Sequence, residues 1–186
     1  MSCFSILDTP LTGLKVVIRQ QKIDGRGYLS RLFCAEELSD LGWHNPIAQI
    51  NQTYTSKRGT VRGMHFQCQP YSEMKLVTCL RGSIWDVAVD LRNKSPTFMH
   101  WYAEELSEKN QRALLIPEGF AHGFQTLSDD CDLIYFHSKA YTPSAEMGLN
   151  AKDPMLSIAW PLAITELSIR DDTHPMLDQK LQGIII

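Results

Sequence analysis

Between about Ile47 and residue 140 the chain holds to one texture: short runs of alternating polarity, cut by Arg58-Gly59, Gln69-Pro70, Arg81-Gly82 and Ser128-Asp129-Asp130. Alternation with a period of two is the mark of a strand, because successive side chains leave a strand on opposite faces. Glycine, proline and aspartate between such runs supply the turns. Many short strands at this spacing must pair through tight connections and close into a sandwich or barrel, so the fold class read here is all-β. The best single strand is Ser83 to Leu91. Trp85, Val87, Val89 and Leu91 share one of its faces, and Ile84, Asp86, Ala88 and Asp90 share the other. From parity alone, the first face is expected on the core and Asp86 and Asp90 on a solvated surface.

The flanks read differently. Val16 to Arg19 is a short apolar run, and Asp24-Gly25-Arg26-Gly27 marks a turn before the strand-like Tyr28 to Phe33, which together predict a first hairpin. Cys34 to Gly42 has apolar residues at helical spacing, acids in its first half and a glycine after it, which predicts the one clear early helix. Asp153-Pro154, Trp160-Pro161 and His174-Pro175 make the final quarter turn-rich, with short helices expected over the barrel. The apolar end, Gly183 to Ile186, is a candidate edge strand or partner contact.

The 186 residues carry no linker-like stretch, so one domain over 1–186 is expected. A net charge of -3 with both signs interspersed leaves no basic stripe for nucleic acid. There is no apolar run near the roughly 18 residues needed to span a bilayer, and Met1-Ser2-Cys3-Phe4 lacks the positive start of a signal peptide. No membrane partner and a cytoplasmic location are therefore expected. Five scattered cysteines without a C-x-x-C pair argue for free packing thiols rather than disulfides or a zinc cluster.

Chemistry concentrates in Arg62-Gly63-Met64-His65-Phe66-Gln67, in Lys75 and Tyr135, and in Pro117-Glu118-Gly119-Phe120-Ala121-His122-Gly123-Phe124. Taken singly, these residues have ordinary explanations: a histidine in a strand is usually hydrogen-bonded structure, and a tyrosine is usually a core ring. Lys75 opens the apolar run Leu76-Val77, which suits a head group pointing into a cavity. Metal-binding cupins use a His-x-His pair, and here the second position is Gln67. Glu73 and His122 could still contribute, but three good ligands are the usual minimum for a catalytic site, so no metal is expected.

In order along the chain stand Asp24-Gly-Arg-Gly27, Gln49-Ile-Asn51, Arg58 to Gln67, Lys75-Leu-Val77, Arg81-Gly82, Asp86 to Arg92, Ser95-Pro96, Ile116 to Phe124, Tyr135, Tyr141-Thr-Pro143, Asp153-Pro154 and Leu167-Ser168 with Asp171. This series resembles the nucleotide-sugar epimerases of the dTDP-4-dehydrorhamnose 3,5-epimerase type. The resemblance implies a cupin-like jelly-roll barrel with a few short peripheral helices, a homodimer, no metal or organic cofactor, and inversion of sugar carbons beside a 4-keto group. Such a reaction serves deoxysugar synthesis for O-antigen or another surface polysaccharide. A ketone at C4 acidifies the hydrogens on C3 and C5, so a base on one face and an acid on the other suffice. By the resemblance, His65 is the base, Asp171 orients it (with Asp172 adjacent), Lys75 meets the developing enolate and Tyr135 is the acid. It also implies substrate contacts at Arg26, Arg31, Gln49, Asn51, Arg62, His122, Tyr141, Glu146 and Arg170. Arg26, Arg62 and Arg170 suit the diphosphate, because guanidinium forks bind phosphate oxygens two at a time. Tyr141 would stack on the nucleobase and share a strand face with Tyr135, His137 and Lys139.

Two departures bear on specificity and geometry. Relatives follow the Arg-Gly turn with Phe, any residue and Glu, in a segment that reaches the neighbouring subunit's site. This chain has Leu29-Ser30-Arg31, which leaves cytidine and guanosine diphosphate sugars beside the thymidine one. On a regular strand Arg62 and His65 would face opposite ways, and a bulge at Gly63 would bring them together. Alternatives carried forward are a C3-only epimerase, a metal-dependent cupin enzyme and a non-catalytic sugar-nucleotide-binding barrel.

Overall fold

The computed structural model describes residues 2–178 and 183–185. Its strands are β1 (Phe4–Asp8), β2 (Lys15–Arg19), β3 (Gln21–Asp24), β4 (Gly27–Ser30), β5 (Gln49–Thr55), β6 (Val61–Gln67), β7 (Lys75–Arg81), β8 (Ser83–Asp90), β9 (Trp101–Ser107), β10 (Arg112–Ile116), β11 (Phe120–Thr126), β12 (Cys131–His137) and β13 (Glu146–Gly148). Two short helices join them, α1 (Ala35–Ser39) and α2 (Ile169–Asp172). A six-stranded sheet in the order β1-β2-β10-β7-β12-β5 lies opposite a five-stranded sheet in the order β13-β6-β11-β8-β9. The fold is a cupin-like jelly roll, as expected.

The central strands of both sheets are buried on both faces, whereas the edge strands β1 and β5 are largely exposed. Between the sheets lie Val16, Val77, Ile84, Leu106, Leu114, Phe120, Phe124 and Leu133. Outside the six-stranded sheet, α1 and the segment after it cover Val17, Leu76, Leu115 and Phe136 with Leu38 and Trp43. Outside the five-stranded sheet, the C-terminal quarter lays Leu149, Leu156, Ile158 and Trp160 on Met64, Val87 and Val89. Truncating a side chain such as Leu76, which has no exposed surface, would cost about 2–5 kcal/mol.

This layering overturns the expectation for β8. Val87 and Val89 point outward beneath the C-terminal cover, while Ile84 and Ala88 point into the barrel. Asp86 and Asp90 share that inward parity and are 0% exposed. Alternation distinguishes two faces, but it cannot distinguish solvent from the interior of a barrel.

The early segments also differ in detail. Asp24 to Gly27 is indeed a turn, with the Arg26 N–H donating to the Asp24 carboxylate at 2.8 Å. The strand opposite β4 is β3, however, whereas Val16 to Arg19 belongs to β2 in the large sheet. β4 stops at Ser30, and Phe33 turns in to stack against Phe136 and meet Trp43 edge-on. Helix α1 falls inside the expected span, with Glu36 and Glu37 in its first turn and Gly42 beyond it in the left-handed conformation that glycine tolerates. In the final quarter α2 is the single helix among the described residues. The expected edge strand at the apolar end is one bridge, in which Ile184 pairs with Arg92; Ile186 lies outside the described residues. All five cysteines are free. Among the described residues no helix is long and apolar enough to cross a membrane.

Candidate active site

One end of the barrel opens into a cavity of about 720 Å³, and every expected site residue except Arg26 and Arg31 lines it. Its floor is built from strand parity. Tyr135 and His137 point inward from β12, their rings stacked at 6.1 Å, and Gln49 and Asn51 come from the adjacent β5, joined by a 2.9 Å hydrogen bond.

The conflict between Arg62 and His65 is resolved by an irregular register. His122 faces His65 and Phe124 faces Arg62, so β6 carries one more residue than β11 over this stretch and both side chains reach the cavity. Gly63 permits the bulge, because a Cβ there would lie 2.5 Å from the Gly123 Cα and its φ is +115°.

His65 Nε2 lies 2.7 Å from Asp171 Oδ1. The second Asp171 oxygen accepts the Gly63 N–H at 3.2 Å, and Ser168, the N-cap of α2, accepts the Asp171 N–H. Burial works against charge on Asp171, but the hydrogen bond and charge of His65 and the donor at Gly63 outweigh it and hold the carboxyl below its usual range. With a carboxylate there, neutral His65 carries its proton on Nε2 and leaves Nδ1 as the basic nitrogen. The neighbouring Asp172 turns away to Lys152.

Lys75 is 8% exposed, with its ammonium 3.2 Å from Glu73 and 3.5 Å from the His65 carbonyl. The other Glu73 oxygen meets His137 Nδ1 at 2.8 Å. Burial raises the Glu73 carboxyl, yet the His137 hydrogen bond and the Lys75 charge bring it below the ordinary value. On Tyr135, burial first and then the charge of Asp86 push the phenol up, so it stays protonated. Asp86 in turn holds His122 Nε2 at 2.8 Å, and the His122 ring meets Tyr135 edge-on.

Around the mouth, Tyr141 donates its hydroxyl to Glu146 at 2.7 Å, and Arg170 pairs with the same carboxylate. Arg62 bonds only neutral oxygens, Thr55 Oγ1 at 3.0 Å and the Tyr54 carbonyl at 3.3 Å, which leaves its charge uncompensated by any ion pair among the described residues. Gln67 spends both ends of its amide on backbone: its nitrogen donates to Tyr71 and Ala140, and its oxygen accepts from Thr142. The residue that stands where a metal cupin has histidine thus pins the loop carrying Tyr141. Of the other ligands in the metal reading, Glu73 is held by Lys75 and His137, and His122 by Asp86. β12 ends at His137, so Tyr141 reaches the cavity from a loop rather than from the strand face expected, and Lys139 is not part of the lining.

The sequence profile described as dTDP-4-dehydrorhamnose 3,5-epimerase matches residues 8–179. The chain belongs to this family. A dTDP-4-dehydrorhamnose 3,5-epimerase of Sinorhizobium fredii (strain NBRC 101917 / NGR234) is 41% identical over 167 residues, covering 87% of this chain and 84% of that protein. A dTDP-4-dehydrorhamnose 3-epimerase of Streptomyces niveus is 38% identical, with 90% and 81% covered. The crystal structure of a dTDP-6-deoxy-D-glucose-3,5-epimerase from Legionella pneumophila Philadelphia 1, in complex with dTDP-4-keto-L-rhamnose, matches with a TM-score of 0.90 at 35% identity, over 98% of this chain and 99% of that one.

In this epimerase Arg26 and Arg31 stand apart from the cavity. Arg26 sits at the tip of the β3–β4 hairpin, paired with Asp24, and Arg31 pairs with Glu37 at 2.9 Å. Three residues with a hand in the site have roles the sequence did not reveal: Glu73 as the partner of Lys75, His137 as the second contact of Glu73, and Asp86 behind His122. For Asp86 a signal existed, since it shares parity with the core residues Ile84 and Ala88. Glu73 and His137 meet only because β7 and β12 are neighbours.

Proposed function

We propose that the chain inverts C3 and C5 of a nucleotide-linked 4-keto-6-deoxyhexose. The reading is carried by the His65–Asp171 pair, 2.7 Å apart, in a cavity that Lys75 and Tyr135 also line. His65 Nδ1 takes the proton from the carbon beside the ketone, and Asp171 stabilises the imidazolium that forms. Charge moves to the C4 oxygen, where the Lys75 ammonium meets it; a preorganised cation at a developing oxyanion is commonly the largest single contribution to rate. Tyr135 returns a proton to the opposite face. Burial keeps its proton in place but makes the phenol a weaker acid, so the transfer depends on the site holding the hydroxyl against the developing carbanion.

Arg62 takes the diphosphate, Gln49, Asn51 and His122 bond the sugar or base, and Tyr141 stacks on the base, with Glu146 and Arg170 fixing its ring. The working unit is a homodimer of one-domain, cytoplasmic subunits. The β3–β4 hairpin exposes Ile23 and Leu29 at 76% and 70%, which favours a role in reaching a second copy and bringing Arg26 and Arg31 to its site. The product supplies deoxysugar for a surface polysaccharide such as O-antigen. The 3-epimerase name of the Streptomyces niveus relative favours inversion at C3 alone as the second reading.

The test is incubation in deuterated water with dTDP-, CDP- and GDP-linked 4-keto-6-deoxyglucose, following C3 and C5 by NMR. Deuterium at both carbons with inverted product is expected, first with the thymidine sugar, as the relatives' names suggest. Exchange and inversion at C3 only selects the second reading, and no exchange with any sugar defeats both.

A further inference from the structure

Beside His65 lies a second imidazole that the proposed reaction does not use. Gly148 is directly opposite His65 in the β13–β6 pairing, and it has no side chain to fill its place on that face. The ring of His174 fills it instead: a Cβ on Gly148 would lie 2.1 Å from His174 Nε2. The two histidine rings stand edge to face, 6.0 Å apart. His174 Nε2 is buried and has no hydrogen-bond partner among the described residues. Leaving a buried polar nitrogen without a partner is destabilising, and the mechanism above gives it no task. His65, Asp171 and His174 each offer a ligand atom, all within 4.8 Å of one another.

We propose that these three residues form a binding site for a divalent transition metal of the Zn²⁺ class, and that occupancy switches the enzyme off. Two imidazoles and one carboxylate are the ligand set such ions prefer. With bonds of about 2.0–2.2 Å, four-coordinate zinc separates its ligand atoms by about 3.3 Å. The His65–Asp171 contact therefore opens from 2.7 Å and the His174 ring closes, adjustments that side-chain rotation supplies. Arg170, the nearest cation in sequence, is already neutralised by Glu146. An ion held through His65 Nε2 competes with the His65–Asp171 hydrogen bond for the same atoms, which lowers its affinity. The metal site stands on geometry alone; the loss of activity rests on His65 being the base.

Binding is measured on the purified full chain by calorimetry with Zn²⁺ and by the visible absorption of Co²⁺ as a spectroscopic substitute. His174→Gln is expected to weaken Zn²⁺ by roughly tenfold or more and to remove the Co²⁺ bands, with exchange activity in chelator unchanged. Gly148→Ala, which denies the ring its slot, is a second variant expected to weaken the metal in the same way. Thermal melts without metal verify that both are folded. Equal Zn²⁺ affinity in the wild type and His174→Gln, or no binding to the wild type at about 100 µM, overturns the site. If Zn²⁺ binds in a His174-dependent way and exchange proceeds undiminished, the metal site stands and the assignment of His65 as base falls.

Discussion

Replacing Asp171 with asparagine tests the core of the mechanism, because it removes one charge and leaves the shape. The carboxylate lies 2.7 Å from His65 Nε2 and takes a second hydrogen bond from Gly63. An amide cannot satisfy both donors. If its oxygen faces His65, its NH₂ meets the Gly63 N–H; if it is flipped, the NH₂ faces His65 and favours the tautomer that puts the proton on Nδ1, where the base must be free. Either way the imidazolium loses its counterion. Unit charges about 4 Å apart at an effective dielectric of about 20 interact by about 4 kcal/mol, and a charge-assisted hydrogen bond is worth about 1.5–3 kcal/mol. These are two views of one contact, so a loss of about 3–4 kcal/mol is expected, or about 10²–10³ in rate at 1.36 kcal/mol per tenfold. The assay is initial-rate incorporation of deuterium at C3, with kcat and KM separated. The fall should be in kcat, since substrate holding is assigned elsewhere. An Asp171→Asn enzyme within about threefold of wild type, or an equal loss in Asp172→Asn, would refute the reasoning.

Other changes separate acid, anchor and scaffold. Tyr135→Phe should slow net inversion by about 10²–10⁴ while C3 exchange falls less; equal losses in the two NMR readouts would deny it the acid role. Arg62→Ala should raise KM by about 10–100-fold with kcat largely kept, the worth of charge-assisted bonds to phosphate; an unchanged KM would place the diphosphate elsewhere. At Asp90 burial opposes ionisation, but hydrogen bonds from Arg92, Ser95 and Thr97 prevail and hold the carboxyl at about 2, against an ordinary 3.8. A depressed folded-state pKa adds stability above the unfolded value that is lost as pH falls toward the folded one, here about 2 kcal/mol disappearing between about pH 5 and 2. Urea unfolding of Asp90→Asn should show a protein weaker by about that amount at pH 7, with a shallower acid decline; an identical pH profile would count against the pairing.

The candidate groups for proton chemistry were legible because they are close in sequence or carried by a motif. Arg62, His65 and Gln67 lie within one strand, and the alternation that marks strands was enough to make the chain all-β. What sequence could not resolve was direction. The acids of β8 read as solvent-facing because parity is blind to a barrel's inside, and the hairpin was given the wrong partner because β2 is claimed by β1 and β10 in the large sheet. Tyr141 was placed on a strand that in fact stops at His137, since the loop is held by Gln67 from another sheet.

By itself, then, the sequence determined the class of fold and the kinds of group available for catalysis, because local periodicity and residue chemistry are properties of the chain. The tertiary structure decided which groups meet. Asp171 reaches His65 across more than a hundred residues, Glu73 is set between Lys75 and His137 by strand order, and His174 occupies the space that Gly148 leaves. Such contacts depend on register and closure, which long-range packing sets and which local pattern does not encode.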